Sequence, residues 1–218
     1  MSRRAQAEWA NRVVAEYTSA AHTAQVLHLL LQCGLTDGLE QTAMRIVADE
    51  LEHARLSHDC LLALGGAAAA LPVDHSRLRV SDDPAGPLAT LVDLVVHDFC
   101  LGETFAVPLF LEMRGAARLP AARVALDRIV VDEAVHRAFG WSALDALLAA
   151  DGPGVRARVA PRLPGWLADF QRSYGAVDGP DPTAEEVAAG LLAPGRYRAL
   201  YAATLRDEIV PRLGRRGL

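Results

Sequence analysis

The chain has 218 residues, 51% of them hydrophobic and only 6% aromatic, with a formal net charge of −5. That length suits one domain with a full core, and an acidic balance argues against nonspecific nucleic-acid binding, which needs a dense basic face. Ala, Leu and Val make up most of the apolar count, and Ala and Leu are strong helix formers, so the composition leans towards an all-α protein. Every basic residue is Arg, which reads as coding bias. Cys33, Cys60 and Cys100 are widely spaced with no Cys-x-x-Cys pair, so they read as reduced thiols and not as a local metal site. The opening MSRRAQAEWANR lacks the apolar run of a signal peptide, and the apolar stretches are interrupted by Glu, His or Gln. A cytoplasmic protein with no membrane span is expected.

Four long segments have helical periodicity. The first runs from about Ala5 to Cys33, with Trp9, Val13, Glu16, Ala20, Thr23, Leu27 and Leu30 on one stripe. The second runs from about Thr36 to Leu64, with Ala43, Ile46, Glu50, His53, Ser57 and Leu61 aligned. The third covers about Pro87 to Met113, aligning Phe99, Glu103, Ala106 and Phe110. The fourth covers about Pro120 to Ala150, aligning Leu126, Ile129, Glu133, His136, Gly140 and Leu144. Short links join helices one to two and three to four, which forces antiparallel neighbours. Gly65 to Gly86 is long enough, at ~3.3 Å per extended residue, to travel ~65 Å. A helix of ~28 residues measures only ~42 Å, so this link can cross the whole bundle and start helix three parallel to helix two.

Residues 151–218 read as a C-terminal helical extension packed on a bundle formed by residues 1–150. Gly152, Pro153, Gly154, Pro161 and Pro164 predict a break, followed by a short helix from Trp166 to Tyr174. Thr183 can cap a helix starting at Ala184, and a last helix is expected from about Gly195 to Leu213.

The chemistry lies in two copies of Asp-Glu-x-x-His, Asp49 to His53 and Asp132 to His136, with no longer internal repeat expected. On a helix, residues i and i+3 share a face, so each Glu and His converge. A carboxylate can bridge two cations, and a neutral imidazole suits Fe, Zn or Cu. Register brings in two further glutamates. Glu16 lies about 18 residues before the first hairpin tip and Glu50 about 16 after it, so at ~1.5 Å per residue their heights differ by ~3 Å. Glu103 and Glu133 lie about 14 before and 16 after the second tip, again ~3 Å apart. Glu16, Glu50, His53, Glu103, Glu133 and His136 can therefore share one level. Four buried carboxylates without cations would repel one another. Of the remaining groups, His22, His28, His58 and His97 read as structural and Glu52 as solvated. Pro108 suggests a kink or bulge, and Phe139 and Trp141 read as core.

Over about residues 5–150 this pattern resembles the ferritin-like diiron-carboxylate superfamily. The resemblance implies a ferritin-like four-helix bundle with one long crossover. It makes Glu16 and Glu103 the single-glutamate ligands of two Fe ions, with Mn possible for one or both. Glu50 with His53 and Glu133 with His136 are then the paired ligands, the two glutamates bridging. Asp49 and Asp132 would accept the far N–H of a ligand histidine. The implied function is that of a non-haem diiron oxidase or monooxygenase, a monomer or homodimer. It would act with O2 and an external electron donor on a small organic substrate. A bacterioferritin-like ferroxidase and a rubrerythrin-like peroxidase are the alternatives.

Overall fold

The computed structural model describes residues 2–67, 73–74, 76 and 78–218. Among these the chain is all-α, with no strand. Helix α1, Arg3–Cys33, starts where the Ser2 hydroxyl accepts from the Arg4 and Ala5 amides, and stops at Gly34 in the left-handed conformation (φ 68°). Helix α2, Leu39–Ala63, starts three residues later than the periodicity predicts. Asp37 and Gly38 take positive φ angles, 26° and 86°, and helical backbone cannot begin before them.

Part of the expected crossover, residues 68–72, 75 and 77, lies outside the described residues. Its later part is tied to the middle of α1: the Gln25 side chain donates to the Val80 carbonyl at 2.8 Å and accepts from the Val80 amide at 2.9 Å. The third helical run is continuous but not uniform. It comprises α3, Pro87–Leu94, then π-helical turns over Val95–Glu103, then α4, Thr104–Ala116. By length and composition alone this 30-residue run could cross a membrane, but 61% of its most apolar window is buried within the fold.

Helix α5, Pro120–Phe170, is longer than expected because the glycines and prolines after residue 150 do not form a loop. The break is a single residue, Asp151 (φ −150°, ψ 72°). Its carboxylate accepts from the Gly154 amide at 3.0 Å and so caps a new helical segment, whose first turn tolerates Pro153. The helix then continues through Pro161 and Pro164 and ends in a π-helical turn, Gln171–Gly175. Helix α6, Ala184–Ala188, carries a capping box between Thr183 and Glu186. Helix α7, Pro194–Thr204, passes through a π-helical turn, Leu205–Ile209, into α8, Val210–Gly214.

The long helices lie side by side: α1 on α2 and α3, α2 on α5, and α5 on the π-helical turns and α4. The shared core holds Trp9, Ile46, Phe99, Leu126, Ile129 and Leu144, all fully buried. The C-terminal layer attaches through aromatic rings. Phe105 of α4 meets Phe170, Tyr174 and Tyr197 at centroid distances of 5.8, 5.0 and 5.7 Å.

Helix α5 comes close to the third run at Gly140. A Cβ there would fall 2.5 Å from the Phe99 Cβ and 3.0 Å from its backbone carbon. Gly140→Ala must therefore push two core helices apart and is expected to destabilise the fold by about 1–3 kcal/mol. The denaturation midpoint checks this, and an unchanged midpoint would contradict the packing described.

Candidate metal centre

Each of the four long helical runs contributes to one buried cluster. Glu16 comes from α1, Glu50 and His53 from α2, Glu103 from the last π-helical position, and Glu133 and His136 from α5. All are buried except Glu103, which is half-buried, and the two histidines have no exposed surface. Ligand atoms of Glu16, Glu50 and His53 lie within 4.8 Å of one another, and so do those of Glu50, Glu103 and His136. Glu50 belongs to both groups. Its Oε2 is 3.5 Å from His53 Nδ1 and its Oε1 is 3.3 Å from His136 Nδ1. Glu133 also reaches both rings, at 3.9 and 3.7 Å. The ring centroids are 5.7 Å apart.

The far side of each histidine faces the aspartate of the other motif, and for His53 the contact is a hydrogen bond. His53 Nε2 lies 3.1 Å from Asp132 Oδ2, and His136 Nε2 lies 3.6 Å from Asp49 Oδ2. Such reciprocal pairing requires α2 and α5 to run antiparallel. Helix α5 is also antiparallel to α4, because only Ala117–Leu119 separates them. Hence the third run points the same way as α2, and the chain between them must travel the length of the helices. Two arginines cover the aspartates. Arg128 donates to Asp49 at 2.8 Å and also to Asp132, while Arg45 lies 3.3 Å from Asp49 and 3.8 Å from Asp132.

Burial and mutual repulsion dominate the electrostatics. Burial, then the Glu50 charge, pushes the Glu16 carboxyl well above its ordinary range. Burial and neighbouring Glu103 do the same to Glu133, and burial also raises Glu103. Burial opposes ionisation of Glu50 too, but the close imidazoles of His136 and His53 outweigh it and hold its carboxyl far below the usual range. For the histidines, burial disfavours the charged form, yet the surrounding carboxylates raise both, His53 to about 9.

The donor set fits a divalent metal. Glu50 Oε2, Glu133 Oε2, His53 Nδ1 and His136 Nδ1 are buried, converge, and lack a hydrogen-bond partner. Leaving such atoms unmet costs about 1–3 kcal/mol each. Oxygen and imidazole donors of this kind satisfy a hard or borderline cation. These buried glutamates and histidines could hold a metal ion.

On the side away from Asp49 and Asp132 lies a cavity of about 830 Å³, walled by α1, the third run and the C-terminal layer. Glu16, Glu50, Glu103 and Glu133 line it; His53 and His136 do not. Two of the histidines read as structural line it as well. His22 Nδ1 lies 3.0 Å from Asp98 Oδ2, and His97 Nδ1 lies 2.6 Å from Asp98 Oδ1. Burial opposes ionisation of Asp98, but the two imidazoles hold it below the usual carboxylate range. This group was hidden because Asp98 and Glu103 are five residues apart. An α-helix would separate them, whereas π-helical turns stack residues i and i+5. Arg45 and Arg128 had a visible signal. The repeat is longer than Asp-Glu-x-x-His: Arg45 and Arg128 each open an Arg-Ile-Val-x-Asp-Glu-x-x-His stretch. Ser19, which donates to Glu50 Oε1 at 2.9 Å, carried no signal in the sequence.

The chain matches no family model, no curated protein and no solved structure. The site therefore rests on its own geometry. A histidine whose pKa is higher folded than unfolded binds more protons when folded. For His53 that contribution is complete below pH 6.5 and fades as pH rises through about 9. The raised glutamates act with the same sign. Metal-free protein is thus expected to lose stability, on the order of a few kcal/mol, as pH rises from 6.5 to about 9. A bound divalent ion should remove that slope and release protons on binding. Chemical denaturation of chelator-treated and metal-loaded protein checks both, and parallel pH profiles would contradict the charge assignment.

Proposed function

We propose that this chain is a ferritin-like diiron-carboxylate oxidoreductase that uses O2 on a small organic substrate. The observation that carries the reading is the position of the cavity. It meets the cluster on its carboxylate face, while the histidine face is closed by Asp49, Asp132, Arg45 and Arg128. A storage function requires no organic-sized pocket beside the metals, and about 830 Å³ is the size of a small-molecule site.

Glu16, Glu50, His53, Glu103, Glu133 and His136 would hold two iron ions, or manganese in one or both places. When bound, the ions supply the electrons with which O2 is reduced, and an external donor restores them. The remaining work falls to the chain. Asp132 fixes the His53 imidazole with Nδ1 turned inward, and Asp49 faces Nε2 of His136. Ser19 fixes one Glu50 oxygen. Phe105, Leu109 and Phe110 line the cavity and give it an apolar wall beside the carboxylate face. The Asp98 carboxylate between His22 and His97 can hold a proton at either imidazole Nδ1, beside the space where substrate would lie.

Purified protein given Fe(II) without oxygen is expected to carry about two iron ions per chain. Glu50→Ala and His136→Ala should each remove most of that iron, and admitting O2 to the loaded protein should consume it. Undiminished iron in both variants would overturn the ligand assignment. Iron accumulating far beyond that ratio in a large shell would favour storage.

A further inference from the structure

Arg12 stands one helical turn before Glu16 on α1, in the wall of the same cavity. It is 8% exposed. Its guanidinium lies against Trp9 and Phe110, 5.3 and 4.7 Å from the ring centroids. One terminal nitrogen reaches Glu8 at 3.1 Å and the Met113 sulfur at 3.6 Å. Nε is buried with no hydrogen-bond partner. Arginine keeps its charge and offers five N–H donors in a flat fork, so burying it with a donor unmet is costly. It is the only arginine among the described residues of the cavity wall, and the chain has no lysine. The acids there that lie outside the cluster already have partners: Glu8 pairs with Arg12, Asp98 with His22 and His97, and Asp169 with Arg172.

We propose that the cavity takes a small organic carboxylate whose anionic end is held by Arg12. Its apolar body lies along Phe105, Leu109 and Phe110, with the nearby carbons beside Glu16. This rests on reading the glutamate–histidine cluster as the reaction centre. One helical turn is ~5.4 Å, so a carboxylate on Arg12 brings carbons a few bonds away to the edge of the cluster. A planar carboxylate also meets the guanidinium fork with two charged oxygens, whereas an amide offers one neutral acceptor and an ammonium none.

Calorimetry on octanoate and phenylbutyrate, each against its primary amide and primary amine, tests this. Metal-free protein is measured first, because there no ion can hold the carboxylate, and Mn(II)-loaded protein second. The acids are expected to bind at least ~10-fold more tightly than the amides or amines. Arg12→Gln should erase that preference while the metal content stays at the wild-type level. Arg12→Lys should keep only part of it, since it retains the charge without the fork. Equal binding of acid and amide, tighter binding of the amine, or full acid preference in Arg12→Gln would overturn the proposal. Should Arg12→Gln fail to fold, the acid–amide comparison on wild-type protein decides alone. Failure of the metal reading looks different: no metal binds, yet the acid preference persists.

Discussion

Four carboxylates and two imidazoles held out of water at one level dictate what surrounds them. Like charges this close cannot all ionise in a low-dielectric interior. The protein's answer without a metal is to keep Glu50 anionic between two raised histidines and to push Glu16, Glu103 and Glu133 towards their neutral forms. Such an arrangement leaves inward-facing imidazole nitrogens and carboxylate oxygens unmet, which an apolar core of the same volume would not do. The cluster is therefore a poor device for stability alone. Its energetic logic closes when cations replace the protons.

The backing of the histidines follows from a symmetry in the chain. The nine-residue stretches beginning at Arg45 and Arg128 lie on antiparallel helices and contact each other reciprocally, each aspartate meeting the other stretch's histidine. One set of residue types thus solves the same problem twice. Arg45 and Arg128 reinforce this by each bridging both aspartates, and both are exposed on the outer side. The aspartates are then anchored by the two guanidinium groups, and their place is behind the rings, not among the glutamates.

Much of this could be read from residue spacing. Helix faces, the short hairpins and the level shared by Glu16, Glu50, Glu103 and Glu133 all follow from the rise of a helix and the reach of a short link. What escaped the reading depends on departures from the ideal helix. The π-helical turns over Val95–Glu103 bring Asp98 onto the same cavity wall as Glu103, a relation that a period of 3.6 hides. The run of Gly and Pro after Ala150 suggests a linker, yet Asp151 caps a helix that resumes at once. Arg12 was invisible for another reason. Its burial comes from Trp9, Phe110 and Met113, of which only Trp9 is a local neighbour in sequence.

The two faces of the cluster explain why the C-terminal layer matters to it. On the histidine face, charge meets charge and the helices close tightly. On the carboxylate face the π-helical turns hold Glu103 only half-buried, and the wall is completed from outside by Phe170, Tyr174 and Tyr197. These residues are far from the motifs in sequence, and they pack on Phe105, two positions after Glu103. Changes in the C-terminal layer thereby reach the cavity directly, through the rings that line it and through Phe105, while the histidine face is backed by the Asp–Arg network. The chain can alter what enters the cavity without disturbing the six groups that line up behind it.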